Sequence, residues 1–224
     1  MSEFTESESA AEAKSEPGEL VQPIILRIDK EDPCGQDEGI AAAALASVAA
    51  FLQNPENPAW GPWAAGAFAK SVRRANPKMF AKVLEEFEEH ALIEVGAAQA
   101  AGLVPLPANA LPKRLAKLQV SGTELPESGQ VFTGQVQVVL DGSLGMSTGK
   151  ACAQAAHALF AWLIQAAPET VQDWIEEGAT LGIRHMDRQG FERGIQDAVG
   201  PVIRDAGRTE IEPGSATAYV VYTG

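Results

Sequence analysis

Lys150, Gln154 and His157 stand at i, i+4 and i+7 in the segment GKACAQAAHALFAWL. At about 100° per residue, a helix gathers them into one narrow stripe. Cys152, Ala155, Ala156, Leu159, Phe160 and Leu163 fall on the opposite, apolar side. An ammonium, an amide and an imidazole in one line combine a positive charge, a two-way hydrogen-bonding group and a group that exchanges protons near neutral pH. A solvated polar face on an amphipathic helix has the same pattern. Lys150 separates the two readings, because it lies in the first turn, where the helix dipole disfavours a cation by about 0.3–1 kcal/mol. Ser147 or Thr148 is placed to cap this helix, and Gly145 and Gly149 let other backbone approach closely. A lysine that breaks the local rule at a glycine-rich helix start is the misfit expected of a functional site.

A second constellation lies near the C-terminus in IRDAGRTEIEPGSAT. Asp205, Arg208, Thr209 and Thr217 cluster there around two glycines, at strand ends and a turn. Alone, Asp-Ala-Gly is an ordinary turn signal. Its presence in one chain with GMSTGKACAQAAHA is not ordinary.

Together the two segments carry a family resemblance. SLGMSTGKACAQAAHA, from Ser143, is similar to the D-L-x-M-x-x-G-K loop and A-A-Q-x-x-H-A helix of the archaeal/eukaryotic-type peptidyl-tRNA hydrolases. Asp205 to Thr217 reproduces their D-A-G-R-T-x-I-x-P-G-x-x-T segment intact. Trp174 has a counterpart in their second helix. The resemblance covers about residues 131–224. Ser143 replaces the acidic residue before the leucine, with Asp141 two positions earlier, and the stretch from His185 to Asp205 is short for the family.

The resemblance implies metal-independent hydrolysis of the ester between a peptide and the terminal ribose of tRNA, without a cofactor, in the cytoplasm. Lys150, Gln154, His157, Asp205, Thr209 and Thr217 take the positions of the family's functional residues, with Gly149 and Arg208 assigned to substrate binding. Such chemistry needs a placed water, a proton acceptor and stabilisation of an oxyanion. Lys150 and the free N–H groups of its helix would supply the positive field, and Asp205 would orient Lys150 or activate water. Both residues are expected to be exposed at the site. A non-catalytic tRNA- or protein-binding module on the same fold is the alternative.

Composition bounds these readings. The net charge of −13 opposes a nucleic-acid partner, since phosphate binding rests on Lys and Arg. Residues 1–20 carry −5, residues 21–130 carry −3 and residues 131–224 carry −5, so any tRNA contact must be a local patch. KSVRRANPKMFAK is the candidate for phosphate contacts, through Lys70, Arg73 and Arg74 with Lys78 and Lys82, although a solvated helix face beside EEFEEH reads equally well. STGK is not a nucleotide phosphate loop, because Gly145 is one residue too close to Gly149 and Ala151 replaces the metal-binding hydroxyl. His90, His157 and His185 stand apart, and two cysteines make neither a disulfide framework nor a zinc site. The acidic N-terminus has no apolar core of a secretory signal, and no apolar run is long enough to span a membrane.

The elements that must position these residues follow from hydrophobic patterning. Residues 1–20 read as a disordered acidic tail. In residues 21–120, a strand over IILRI precedes an alanine-rich helix from Ile40 to Leu52 and a proline-rich loop to Pro62. Trp63–Ala75 and Pro77–Glu89 then read as wholly or partly helical, and a strand–turn–strand covers HALIEVGAAQAAGLVPLPA. Residues 121–130 read as a linker. From Gln135 the order is β-α-α-β-α-β-β, a small mixed sheet flanked by helices in three α/β/α layers. The two halves show the same order of signals, which implies two such units with the N-terminal one degenerate, a built-in partner in a monomeric chain. Gly39 aligned with Gly149 sets Ile40 and Ala44 opposite Lys150 and Gln154, and Glu94 and Ala98 opposite Asp205 and Thr209.

Overall fold

The computed structural model describes residues 18–127, 134–207 and 210–223. Most of the acidic tail, the stretch 128–133, and Arg208 and Thr209 therefore lie outside the described residues. The first unit runs β1 (Leu20–Arg27), α1 (Gln36–Gln53), α2 (Trp60–Ala65), β2 (Ala69–Ala75), α3 (Pro77–Glu86), β3 (His90–Val95) and β4 (Ala98–Leu103). A two-residue strand, β5 (Leu106–Pro107), adds to β1, and a single helical turn, α4 (Lys113–Ala116), follows. The second unit runs β6 (Val136–Asp141), α5 (Thr148–Leu163), α6 (Pro168–Glu176), β7 (Leu181–Met186), α7 (Arg188–Gly194), β8 (Ile203–Arg204) and β9 (Ala216–Tyr222).

The sheet orders are β2-β1-β4-β3 and β7-β6-β9-β8. In each, the first strand pairs parallel with the second and antiparallel with the last. The repeat extends to single atoms. Trp63 Nε1 donates to the Ala69 carbonyl at 2.7 Å, and Trp174 Nε1 donates to the Thr180 carbonyl at 2.8 Å. Asn76 caps α3 by accepting from Met79 N at 2.8 Å, and Asp187 caps α7 by accepting from Gly190 N at 2.7 Å. These matches set Lys70 of β2 opposite Leu181 of β7, each the residue after the carbonyl that its tryptophan holds.

One expectation needs correction. Residues 69–75 are not helical: β2 pairs residue by residue with β1, from Val21–Ala69 to Arg27–Ala75. Ser71, Val72, Arg73 and Ala75 are buried there, and the free edge of β2 is met by Gln119 through an antiparallel bridge at Arg74. The basic residues of this segment thus alternate between faces of a strand instead of lining one side of a helix. The described part of the segment read as a linker, 121–127, is packed between the units. Thr123 and Leu125 are buried, Leu125 N donates to Thr148 Oγ1 at 3.0 Å, and Gln36 N donates to the Pro126 carbonyl at 2.8 Å. The segment is a strap wedged between the first turns of α1 and α5. It fits because Gly39 and Gly149 have no side chains. A Cβ on Gly39 would stand 2.6 Å from Leu125 Cδ1, and one on Gly149 would stand 3.2 Å from Thr123 Cβ.

Helices α1 and α5 lie side by side between the two sheets and run the same way. Cys152 Sγ reaches the Gly39 carbonyl at 3.6 Å near their starts, and the Phe51 and Phe160 rings stand 5.4 Å apart near their ends. Each helix packs on its own sheet, while β2 also meets α5 and β7 also meets α1. This reciprocity is that of an approximate twofold axis between the helices. Alanine dominates α1 because both sides are covered and only a small side chain lets the layers approach. Phe51, Trp60, Trp63, Phe68 and Phe160 close the far end of this shared core in tilted and edge-on ring contacts. On the outer faces, α3 covers Ile25 and Leu103 with Phe80 and Val83, and α7 covers Val139 and Tyr219 with Phe191.

Phe160 belongs to α5 but touches mainly rings of the first unit. Phe160→Ala is expected to cost about 3–5 kcal/mol and to lower the melting temperature of the whole chain in one transition. Two separate calorimetric transitions, with only one moved, would contradict a shared core.

Candidate active site

The site forms where the C-terminal ends of β6 and β8 meet the N-terminus of α5, the edge of an open α/β sheet at which ligands generally bind. Asp141 ends β6 and accepts from Ser143 N at 3.0 Å, which turns the chain toward the helix. Ser147 is the N-cap, its hydroxyl accepting from Lys150 N at 3.3 Å. The backbone N and hydroxyl of Ser147 also donate to the carboxylate of Glu210, at 3.0 and 2.7 Å, which ties the C-terminal loop to the helix start.

Asp205 follows β8 and is 4% exposed. Its Oδ1 accepts from Gly207 N at 2.7 Å, while its Oδ2 accepts from Gln154 Nε2 at 3.0 Å and pairs with the ammonium of Lys150. Thr217 Oγ1 donates to Gln154 Oε1 at 2.7 Å, and so fixes which end of the amide faces Asp205. Gly207 makes the loop possible: its φ is +71°, and a Cβ would stand 2.3 Å from Pro213 Cγ. One chain of contacts thus joins Thr217, Gln154, Asp205 and Lys150, from a strand, a helix and the loop after β8. The expectation that Lys150 and Asp205 are exposed is corrected, since the lysine side chain is only 12% exposed and the aspartate is buried. An alanine at 205 would leave buried Gln154 short of a partner, at a cost of about 1–3 kcal/mol.

His157, one turn further along α5, packs beside Phe68 of the first unit at 5.5 Å between ring centroids. Burial holds its imidazole well below the usual histidine range, and the ammonium groups of Lys70 and Lys150 push the same way. At neutral pH it is an uncharged ring. Cys152 is buried packing between the two helices, and burial pushes its thiol up. The site therefore gathers Lys150, Gln154, Asp205 and Thr217 and sets His157 apart from the hydrogen-bonded chain. Gly149 faces Thr123 of the strap, so that side of it is not open to a substrate.

The residues expected to contact phosphate fare differently. Lys70 Nζ is buried with no hydrogen-bond partner, over the rings of Trp63 and Phe68 at 4.1 Å each and Phe160 at 4.5 Å. Burial holds it well below the usual lysine range. Arg73 is buried and donates from Nη1 to the carbonyls of Leu115 and Leu118, at 2.9 and 3.2 Å, closing the end of α4. Arg74 is bound to the Gln119 side chain and to the Gly122 carbonyl at 2.6 Å, which makes it a strut of the strap. Hence none of the three belongs to a free phosphate-facing surface. Among the described residues, no group of three His, Cys, Asp or Glu side chains is arranged to hold a metal ion, and no helix is long and apolar enough to cross a membrane.

The pairing of Ser147 with Glu210, and of Asp141 with Ser143, went unread in the sequence. Asp141 had a signal, as a carboxylate ending a strand before Gly-Ser. Glu210 had none outside the motif itself. The copied positions are also corrected. Counted from the caps Gly35 and Ser147, the third helical residues are Glu38 and Lys150, so Glu38 and Ala42 stand where the second unit has Lys150 and Gln154. Glu38 Oε2 accepts from Gly35 N at 3.0 Å and packs under Gly96 in the β3–β4 turn. Glu94 instead pairs with Gln99 at the surface.

A lysine–aspartate pair at the start of the first helix of a four-stranded mixed sheet marks the second unit of this α/β protein. The family described as "Peptidyl-tRNA hydrolase PTH2" matches residues 135–223. The chain is 30% identical over 93 residues to a peptidyl-tRNA hydrolase of Methanocaldococcus jannaschii, spanning 38% of this chain and 81% of the relative. It is 31% identical over 97 residues to one from Aeropyrum pernix, spanning 38% and 78%. With one from Methanococcus vannielii it shares 33% over 90 residues, spanning 36% and 78%. The chain belongs to the peptidyl-tRNA hydrolase family through its second unit.

Lys70 gives a test of the junction that needs no substrate. A group whose pKa is depressed by folding contributes fully only above its unfolded value, about 10.4 for lysine, and costs stability as pH falls below it. Lys70→Met is expected to raise the melting temperature at pH 7 by several degrees, as 1 kcal/mol moves a chain of this size by about 2–4 °C. The gain should shrink as pH rises from 7 to 10. A variant less stable than the parent at pH 7 would show that the ring cage stabilises the cation outright.

Proposed function

We propose that this chain hydrolyses the ester bond of peptidyl-tRNA, releasing peptide and free tRNA, in the cytoplasm and without a metal. The observation that carries the reading is the Lys150–Asp205 pair, held by Gln154 and Thr217 at the positive end of α5. Lys150 and the helix N-terminus face the charge that develops on the ester carbonyl oxygen, where preorganised donors lower the barrier most. A carboxylate has about four acceptor positions. Among the described residues Asp205 accepts from Gly207, Gln154 and Lys150, and in this reading its remaining acceptor position orients and polarises the attacking water. Thr217 acts through Gln154, holding its amide in the orientation that meets Asp205. His157 contributes an uncharged ring beside the stripe, and Thr209 and Arg208 are assigned by the family motif.

In this reading the first unit is a degenerate copy and a built-in partner, which makes the protein a monomer. It has no lysine at the helix start and closes β3–β4 with the tight turn Gly96–Ala97, where the second unit carries the loop from Asp205 to Ser215.

Purified protein is expected to release tRNA from N-acetyl-aminoacyl-tRNA in the presence of EDTA, and to elute as a monomer. Lys150→Met and Asp205→Asn should each lower kcat by about 10²–10³ or more. Each also leaves a buried partner unpaired and lowers the melting temperature, so kcat is compared at a temperature where both variants are folded. A folded protein that binds tRNA without cleaving it would replace the reading by a non-catalytic module. Full activity in both variants would leave the enzyme class standing and remove the assigned site.

A further inference from the structure

A chain of net charge −13 repels a polyanion at long range, so a tRNA substrate requires a local surface of the opposite sign. Residues 57–84 and 95–123 contain no Asp or Glu, although the chain has 30 of them. Folding puts parts of these two stretches together. Leu115 of α4 packs with Phe80 and Val83 of α3, and Arg114 binds Glu86 and reaches Met79 Sδ at 3.9 Å. On α3, Lys78 and Lys82 stand four residues apart on the side away from Phe80 and Val83, and both are exposed. Lys113 and Lys117 flank Arg114 in the same way and are also exposed. Among the described residues none of these four lysines is in an ion pair.

We propose that the exposed faces of α3 and α4, carrying Lys78, Lys82, Lys113 and Lys117, dock the sugar–phosphate backbone of the tRNA acceptor arm. This inference rests on the hydrolase reading and assigns its partner a surface on the unit that has no site of its own. The route from that surface to the chemistry is short. After Lys117, Gln119 bridges to Arg74, Arg74 holds the Gly122 carbonyl, and the Thr123 carbonyl accepts from Gly149 N at 3.2 Å. Six residues from Lys117 to Thr123 span at most about 20 Å. That is within reach of an unpaired 3′ end and the first base pairs of a stem, so phosphates on the lysines and an ester at Lys150 fit one substrate. Lysines at helix surfaces neutralise phosphates without reading bases, as an enzyme acting on every tRNA requires.

The test uses the full chain with Lys78, Lys82, Lys113 and Lys117 all changed to Gln, beside a control with Lys30, Arg184 and Arg193 changed to Gln. Binding of deacylated tRNA is followed by fluorescence anisotropy at several salt concentrations. The quadruple variant is expected to lose at least tenfold in affinity, and its slope of log affinity against log salt should fall by about 3, near 0.9 per duplex phosphate contact. The control should change little. KM for N-acetyl-aminoacyl-tRNA should rise at least tenfold while cleavage of the corresponding ester of adenosine stays unchanged. An unaltered slope and affinity, or an equal loss in the control, would overturn the docking surface. Hydrolysis could stand without it, and binding with no cleavage anywhere would remove the hydrolase reading while leaving the surface intact.

Discussion

The close parallel contact between α1 and α5 decides what the rest of the molecule can do. Each helix is pressed against its own sheet on one side and against its neighbour on another, which is why alanine fills α1 and recurs through α5. Little of α5 is left to face solvent. What remains is a partly exposed line of Lys150, Ala153 and His157, which begins at the end where the helix dipole is positive. The strands deliver Asp205 and Thr217 to the same edge. Packing therefore confines the lysine–aspartate pair to the start of the helix.

The two units show how little separates a site from a scaffold. They share strand order, caps and a tryptophan-to-carbonyl contact, yet only one has the polar chain. Glu38 at the start of α1 agrees with the dipole and caps its own helix. Lys150 at the equivalent position opposes the dipole and is compensated by Asp205. That compensation needs the long β8–β9 connection, which the two-residue β3–β4 turn cannot supply. Fold is common to both halves, and the polar chain is found in one of them.

Much of this was legible in the residues. The alternation of QVQVVLD, the spacing of Lys150 and Gln154 and the intact DAGRT segment led to the correct elements and to the groups that meet. The order of signals also revealed the repeat. Two features escaped for physical reasons. The basic residues of β2 look helical because KSVRRA has no strong period, and only pairing with β1 makes it a strand. The strap looks like a linker because its glycine and polar residues signal a turn, whereas its burial depends on Gly39 and Gly149 two helices away. Similarly, Glu38 matches Lys150 only when helices are counted from their caps, which a glycine-to-glycine alignment cannot see.

Lys70 and its counterpart Leu181 carry a consequence for how such a molecule can change. In a symmetric dimer of identical chains every interface residue occurs twice, so a buried lysine on one side of the axis obliges a second on the other. Here the axis is only approximate and the two positions are written separately in one gene. A caged ammonium beside His157 faces a leucine at the matching place, and neither constrains the other. Fusion also removes the dependence on protein concentration that governs a dissociable pair. One unit can then vary residue by residue while the other stays assembled, a freedom that a self-complementary interface does not have.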